Sequence, residues 1–161
     1  MHAGRWELRK ADSGDPLAFF RELATEYVSS LPFELDFEDF AREMRELPGD
    51  YAPPRGLILV AVWDGNPAGC VALRPFDGMT CEMKRMYVRP EFRGHGLGKA
   101  LAERAVAEAR RIGYERMRLD TVASLKEANR MYERMGFREI AAYRHNPRPD
   151  ARYFELTLAS I

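Results

Sequence analysis

The sequence predicts an α/β (α+β) fold in which a mixed, mostly antiparallel sheet of six to seven strands is flanked by about four helices. Three observations carry this expectation. Strand-like and helix-like stretches follow one another in the order β-α-α-β-β-β-α-β-α-β-β, and helices between strands imply a sheet covered on both faces. The "FDGM" stretch at 76–79 reads as the tight tip of an antiparallel hairpin. After the strand that follows, a long helical stretch implies a crossover, so the next strand runs parallel to it.

"RWELRKA" (5–11) alternates as a first strand does. "DPLAFFRELATEYVSSL" (15–31) is helical, with Pro16 suited to the first helical position and Phe19, Leu23 and Tyr27 recurring on one face. "DFEDFAREMREL" (36–47) is a second amphipathic helix, striped by Phe37, Phe40, Met44 and Leu47. "PGDYAPPRG" (48–56) breaks the pattern and predicts an ordered surface loop. "LILVAVWD" and "PAGCVALRPF" are apolar strands joined through "DGN", a hairpin signal, and "TCEMKRMYV" (80–88) is a fourth strand. A long helix runs from Gly96 to Ile112, its inward face Leu97, Leu101, Ala105, Ala109 and Ile112, and Gly113 stops it. "YERMRLDTV" is a strand, and "SLKEANRMYERMGF" is a helix with a Ser124–Glu127 capping box and Gly136 at its end. "FREIAAY" and "ARYFELTL" supply the last strands.

At 161 residues the chain is expected to form one domain over 1–161. Lys+Arg and Asp+Glu both number 25, so no global field steers it toward nucleic acid or an anionic membrane, and any phosphate binding has to be local. No apolar run reaches the roughly 20 residues of a membrane span, and "MHAGRWELRK" lacks the apolar core of a signal peptide. Cys70 and Cys81 have no metal-ligand spacing and read as buried, reduced thiols. The expected location is the cytoplasm, with no metal.

The stretch "VRPEFRGHGLGKAL" (88–101) places three glycines between a strand and a helix. Glycines there adopt positive φ and let the backbone approach a ligand, and the first amides of the helix are unpaired at the positive end of its dipole. Such a turn suits phosphate or pyrophosphate, with Arg93, Arg89 and Lys99 to add charge. Gly94, Gly96 and Gly98 are spaced G-x-G-x-G, which is not the dinucleotide fingerprint, and no G-K-[ST] follows as a triphosphate loop would need. A glycine-capped turn with no ligand is the plainer alternative.

Arg93-Gly94-His95-Gly96-Leu97-Gly98 resembles the [QR]-x-x-G-x-[GA] signature of the GNAT superfamily of acetyl-CoA-dependent N-acetyltransferases. The likeness extends to "MYV" and "RPEFRG" before the loop, to the "YERMGF" of Tyr132–Phe137 after it, and to the order of elements along nearly the whole chain. Residues 12–56 match only in being helical.

The resemblance implies that amides of Arg93, Gly94, His95, Gly96, Leu97 and Gly98, with Lys99 at the margin, hold the CoA pyrophosphate. It implies that Met86, Tyr87 and Val88 line the pantetheine through their backbone, with the amide near Met86 facing the thioester carbonyl as an oxyanion donor. Tyr132 takes the position that often supplies the acid for the departing thiolate; packing in the core is its alternative role. Glu82 is the candidate base for the amine, because a two-residue period sets Glu82, Lys84, Met86 and Val88 on one strand face. A salt bridge to Lys84, Arg85 or another neighbour is the competing reading of Glu82. Leu125 stands where many members carry an asparagine for the pantetheine arm, which leaves Ser124 and Asn129 as substitutes.

The implied reaction is acetyl transfer from acetyl-CoA, as co-substrate, to a primary amine of a small molecule, by direct attack in a ternary complex. A protein N-terminus or lysine as acceptor, a CoA-binding sensor without turnover, and a binder of some other phosphate are the alternatives. Glu34, Asp36, Glu38 and Asp39 are candidates to attract a cationic amine, and Phe33, Phe37, Tyr51 and Tyr143 to shape its pocket; a solvated helix start explains the acids equally well, and helical spacing makes Phe37 a core residue first. A homodimer is a possible assembly; no nucleic-acid or membrane partner is expected.

Overall fold

A computed structural model describes residues 5–31, 37–146 and 148–159. The acceptor candidates Phe33, Glu34 and Asp36, and the side chain of Phe37, lie outside the described residues. Seven strands form one sheet: β1 (Trp6–Lys10), β2 (Leu57–Trp63), β3 (Asn66–Asp77), β4 (Thr80–Val88), β5 (Arg116–Val122), β6 (Arg138–Ile140) and β7 (Ala151–Thr157), in the spatial order β1-β2-β3-β4-β5-β7-β6. Among the described residues four α-helices accompany them: α1 (Gly14–Ser30), α2 (Phe37–Arg45), α3 (Leu97–Ile112) and α4 (Lys126–Arg134). The element order is the one the sequence predicts. Every strand pair is antiparallel except β4 with β5, the pair that α3 bridges.

The strand alternation sorts side chains onto two cores. On one face Leu59, Leu73, Met117 and Phe154 pack with Leu97, Leu101 and Ala105 of α3. On the other, Val60, Cys70, Ala72 and Tyr87 pack with Phe20, Leu23, Ala24 and Val28 of α1 and with Phe40 and Met44 of α2. The buried line of α1 is therefore centred on Phe20 and Leu23, and Phe19 and Tyr27 flank it. Both cysteines are buried and free.

Two local expectations change. The predicted capping box is absent: α4 is entered through Leu125, which puts Ser124 one residue outside the N-cap, and no side chain caps the helix. Leu125 N–H bonds Val122 O instead, at 3.1 Å, and Asn129 N–H closes the first turn on Leu125 O at 3.0 Å. In β4, Cys70 pairs with Tyr87 but Ala72 with Lys84, so two steps on β3 oppose three on β4. This is a bulge, and Arg85 occupies it at φ 60°. The extra residue reverses the alternation. Glu82 and Lys84 pair with Arg74 and Ala72 on the α1/α2 face, whereas Met86 and Val88 pack against the core on the α3 face. The expected shared face of Glu82 and Met86 is thereby lost.

The segment between α2 and β2 folds tightly, with a 3₁₀ turn at Gly49–Tyr51 that buries Tyr51. A Cβ on Gly56 would sit 2.4 Å from the Tyr51 carbonyl carbon, so only glycine lets these backbones approach. Gly56→Ala is expected to destabilise the fold by about 2 kcal/mol, as overpacking does, measured as a lowered urea midpoint with an unchanged m-value.

Candidate active site

β4 and β5 pair only over Thr80–Glu82 and Arg116–Arg118. Beyond Glu82 the two strands part, and the edge of β4 that faces β5 carries backbone groups with no strand partner. A groove of about 560 Å³ occupies the gap. One end lies under the glycine loop and the start of α3, and the other passes Tyr132 and reaches Tyr27 and Leu31 of α1. The groove thus crosses from the α3 face to the α1 face of the sheet.

At the loop end, Gly94 and Gly96 hold φ of 84° and 86°, a conformation that side chains oppose. Gly96 is the N-cap of α3, and the first helical bond there is Ala100 N–H to Gly96 O at 3.0 Å. The amides of Leu97, Gly98 and Lys99 precede that bond and find no acceptor in the helix, and no acidic side chain lies in the first turn. Arg93, Gly94, Gly96, Leu97 and Gly98 line the groove. Arg93 donates from Nε to Val88 O at 3.0 Å, which fixes the loop against the end of β4. His95 turns the other way and packs edge-on against Trp63, ring centroids 4.8 Å apart. Lys99 is exposed, 3.8 Å from Glu103. Arg89 is occupied by Glu22 at 2.9 Å and Glu26 at 2.8 Å.

In the middle of the groove, Met86, Tyr87 and Val88 line one wall, and Ser124 and Leu125 stand on the other side. Tyr132 projects from α4, packed against Phe137 and Phe154, and its hydroxyl has no hydrogen-bond partner among the described residues. Burial pushes its pKa up, so the phenol keeps its proton at neutral pH. Asn129 does not line the groove. It is buried, accepts from Thr121 Oγ1 at 3.0 Å and donates to Val122 O at 3.0 Å, tying α4 to β5.

Glu82 also lies off the groove, fully buried on the α1/α2 face. Arg74 Nε donates to its Oε1 at 3.0 Å, the Tyr143 hydroxyl to its Oε2 at 2.8 Å, and Arg144 to the same Oε2. Burial works to raise its pKa, but the charges of Lys84, Arg74 and Arg144 and the Tyr143 hydrogen bond outweigh that and hold it below its ordinary range. The charges that the motif reading passed over are Lys84, Arg85 and Asp120. Lys84 and Asp120 face each other across the gap, 3.8 Å apart, and all three line the groove. The two-residue period marks Lys84, but only the bulge and the parting of the strands bring it to the groove. Nothing in the spacing of Asp120 sets it apart from an ordinary strand residue.

The parting of β4 and β5, the glycine-capped α3 and Tyr132 on α4 all border this one groove. A model of the acetyltransferase (GNAT) family matches residues 18–137, and the chain belongs to that family of acyltransferase enzymes. An uncharacterized N-acetyltransferase of Schizosaccharomyces pombe is 39% identical over 142 residues, 87% of each chain. The N-acetylaspartate synthetase of Rattus norvegicus is 40% identical over 94 residues, which are 58% of this chain and 31% of that protein. Among solved structures, yncA of Salmonella typhimurium, determined with its cofactor acetyl-CoA, superposes with a TM-score of 0.71 at 25% identity, covering 97% of this chain and 95% of that one.

Because the folded pKa of Glu82 lies below the ordinary 4.5, the stability it contributes is complete above that pH and is lost as the pH falls through the folded value. Glu82→Gln, which strands Arg74 and Arg144 without their shared acid, is expected to cost about 3 kcal/mol at pH 7. The cost shrinks on acidification below pH 4.5. Chemical denaturation of both proteins at pH 7 and pH 4 checks this.

Proposed function

We propose that this acetyltransferase moves the acetyl group of acetyl-CoA to the primary amine of a small molecule, both substrates bound at once. The observation that carries the reading is the groove itself, continuous from the unpaired amides of α3, past Tyr132, to the opposite face of the sheet. When bound, acetyl-CoA supplies a thioester whose acyl carbon the amine attacks.

The residues present fit that co-substrate. The free amides at Leu97, Gly98 and Lys99 suit a diphosphate, with Arg93 beside them, and the unpaired edge of β4 at Met86–Val88 suits an amide-bearing arm. Ser124 is the hydroxyl on the far wall, where Leu125 offers only an apolar side chain. In this reading Tyr132 donates its proton to the departing thiolate, a task suited to a phenol that burial keeps protonated. An amide near Met86 stabilises charge gathering on the carbonyl oxygen.

Glu82, held ionised by its cationic neighbours, is a weak proton acceptor, and we assign it the holding of Arg74, Tyr143 and Arg144. Asp120, which does line the groove, takes its place as the candidate base. His95 and Asn129 serve the loop and α4 as structural residues, and Lys99 contributes its amide. A small-molecule acceptor is supported by the relative named for the synthesis of N-acetylaspartate.

Thiol release from acetyl-CoA across a panel of amines tests the reaction, and CoA binding with no turnover on any amine would leave a sensor instead. Tyr132→Phe is expected to lower kcat by about 100-fold while the affinity for CoA changes less than about twofold, read by stopped-time assays and calorimetry. Unchanged turnover would remove Tyr132 from the proton transfer.

A further inference from the structure

A second cavity, of about 460 Å³, opens on the α1/α2 face between α2, the Gly49–Tyr51 turn and β4. Its lining includes Arg74, Lys84, Arg85 and Tyr51, and it shares Lys84 and Arg85 with the groove. The two spaces therefore meet at the bulge of β4, where the strands part.

The charges lining it are sorted by depth. Asp39, Glu46 and Asp50 are exposed at the rim, and Asp39 is paired with the equally exposed Arg42 at 2.6 Å. Arg85 is closed off by Glu43, which accepts from Nε at 3.0 Å and from a second nitrogen at 3.2 Å. Arg74 and Lys84 are different. Arg74 directs Nε and a second nitrogen at one oxygen of Glu82, at 3.0 and 2.9 Å, and its other N–H groups have no partner among the described residues. The ammonium of Lys84 has the 3.8 Å ion pair with Asp120 and no hydrogen bond among the described residues. Beside them the hydroxyl of Tyr51, a residue only 2% exposed, makes no well-formed hydrogen bond among the described residues; the Glu43 carboxylate that faces it is engaged by Arg85 and, with burial, pushes the phenol's pKa up.

Three donors, two of them cationic, thus line one cavity, and Glu82 and Asp120 meet only part of their hydrogen-bonding capacity among the described residues. Glu82 does not balance them, because Arg144 shares the same carboxylate. Buried donors and charges without partners are costly, and a ligand that supplies the missing anion removes that cost. A carboxylate has the planar pair of acceptors that a guanidinium matches, with lone pairs to spare for an ammonium and a phenol.

We propose that the acceptor amine carries a carboxylate, which Arg74, Lys84 and the Tyr51 hydroxyl hold in this second cavity while the amino group reaches the groove past Lys84 and Arg85. The assignment rests on the transfer reading above and narrows its substrate to amino acids and their relatives. The state of Lys84 agrees with it. Burial outweighs the nearby Asp120 and Glu82 and lowers its pKa, as expected of a cation short of counter-charge.

Two measurements on the full chain test the assignment. The first is thiol release from acetyl-CoA with alanine, aspartate and glutamate set against alaninamide, ethylamine, putrescine and phosphoethanolamine. The second is calorimetry of the same amines on the CoA-loaded protein. At least one amino acid is expected to be turned over with kcat/KM about 100-fold above its uncharged counterpart. Lys84→Met is expected to raise the KM for it about tenfold, and Tyr51→Phe, whose site lies off the groove, about fivefold with the KM for acetyl-CoA unchanged.

Equal or better use of ethylamine, putrescine or phosphoethanolamine would overturn the carboxylate assignment and leave the transferase reading standing. An amino acid that binds without thiol release would uphold the cavity and overturn the transfer. Neither binding nor turnover of any amino acid, or variants that leave its KM unchanged, would overturn the assignment.

Discussion

The site depends on β4 and β5 ceasing to pair after three residues. A parallel pair in the middle of a sheet is ordinarily zipped along its length, because backbone groups buried without partners are costly. Here the ladder stops at Glu82 and Arg118, and the strands diverge where a central sheet would normally be most continuous. The divergence makes a slot through the sheet and leaves the exposed edge of β4 with hydrogen-bonding capacity to offer. The helix that must follow in a parallel crossover starts at the same end, so its unpaired amides open onto that slot. One topological requirement thus delivers both the passage and the unpaired amides at one end of the groove.

The bulge in β4 sharpens the effect. One additional residue turns Lys84 and Tyr87 toward α1 and α2 and leaves Met86 and Val88 against the α3 core. Arg85 holds a positive φ that a long side chain seldom adopts. It is retained there by the paired bonds to Glu43 and by the ring of Phe40, 5.2 Å from its guanidinium carbon. A backbone outlier secured by buried partners beside a groove is where functional strain is usually found. Tyr87, next along, bonds Glu26 at 2.9 Å, so α1 is tied to the strand just where the slot opens.

Much of this was legible in the residues. Residue patterning and turn signals marked all eleven elements and their order, because most of them bury a face and so carry its period in the sequence. The glycine loop was legible for a different reason, since Gly94 and Gly96 require a conformation that few other residues tolerate. What could not be read was where the alternation breaks. A bulge adds a residue without leaving a compositional mark, and "CEMKRMYV" alternates no differently from an unbroken strand; the face of Glu82 was misjudged for that reason. The capping box failed because the turn after β5 consumes Ser124 before the helix begins. The second cavity was out of reach as well, since Arg74, Lys84 and Tyr51 come from separate segments that only the folded sheet gathers.

The groove is built by segments on one side of the sheet and emptied toward segments on the other. The glycine loop, α3 and α4 lie on the side where the anion end is formed, and α2, the Gly49–Tyr51 turn and Arg74 surround the second cavity. The two sets meet at Lys84 and Arg85. On the reading proposed above, drift in α2 and the Gly49–Tyr51 turn, neither of which lines the groove, reshapes what is accepted without disturbing how the donor is gripped. A lineage built on this plan can change its choice of acceptor one loop at a time and keep its chemistry intact.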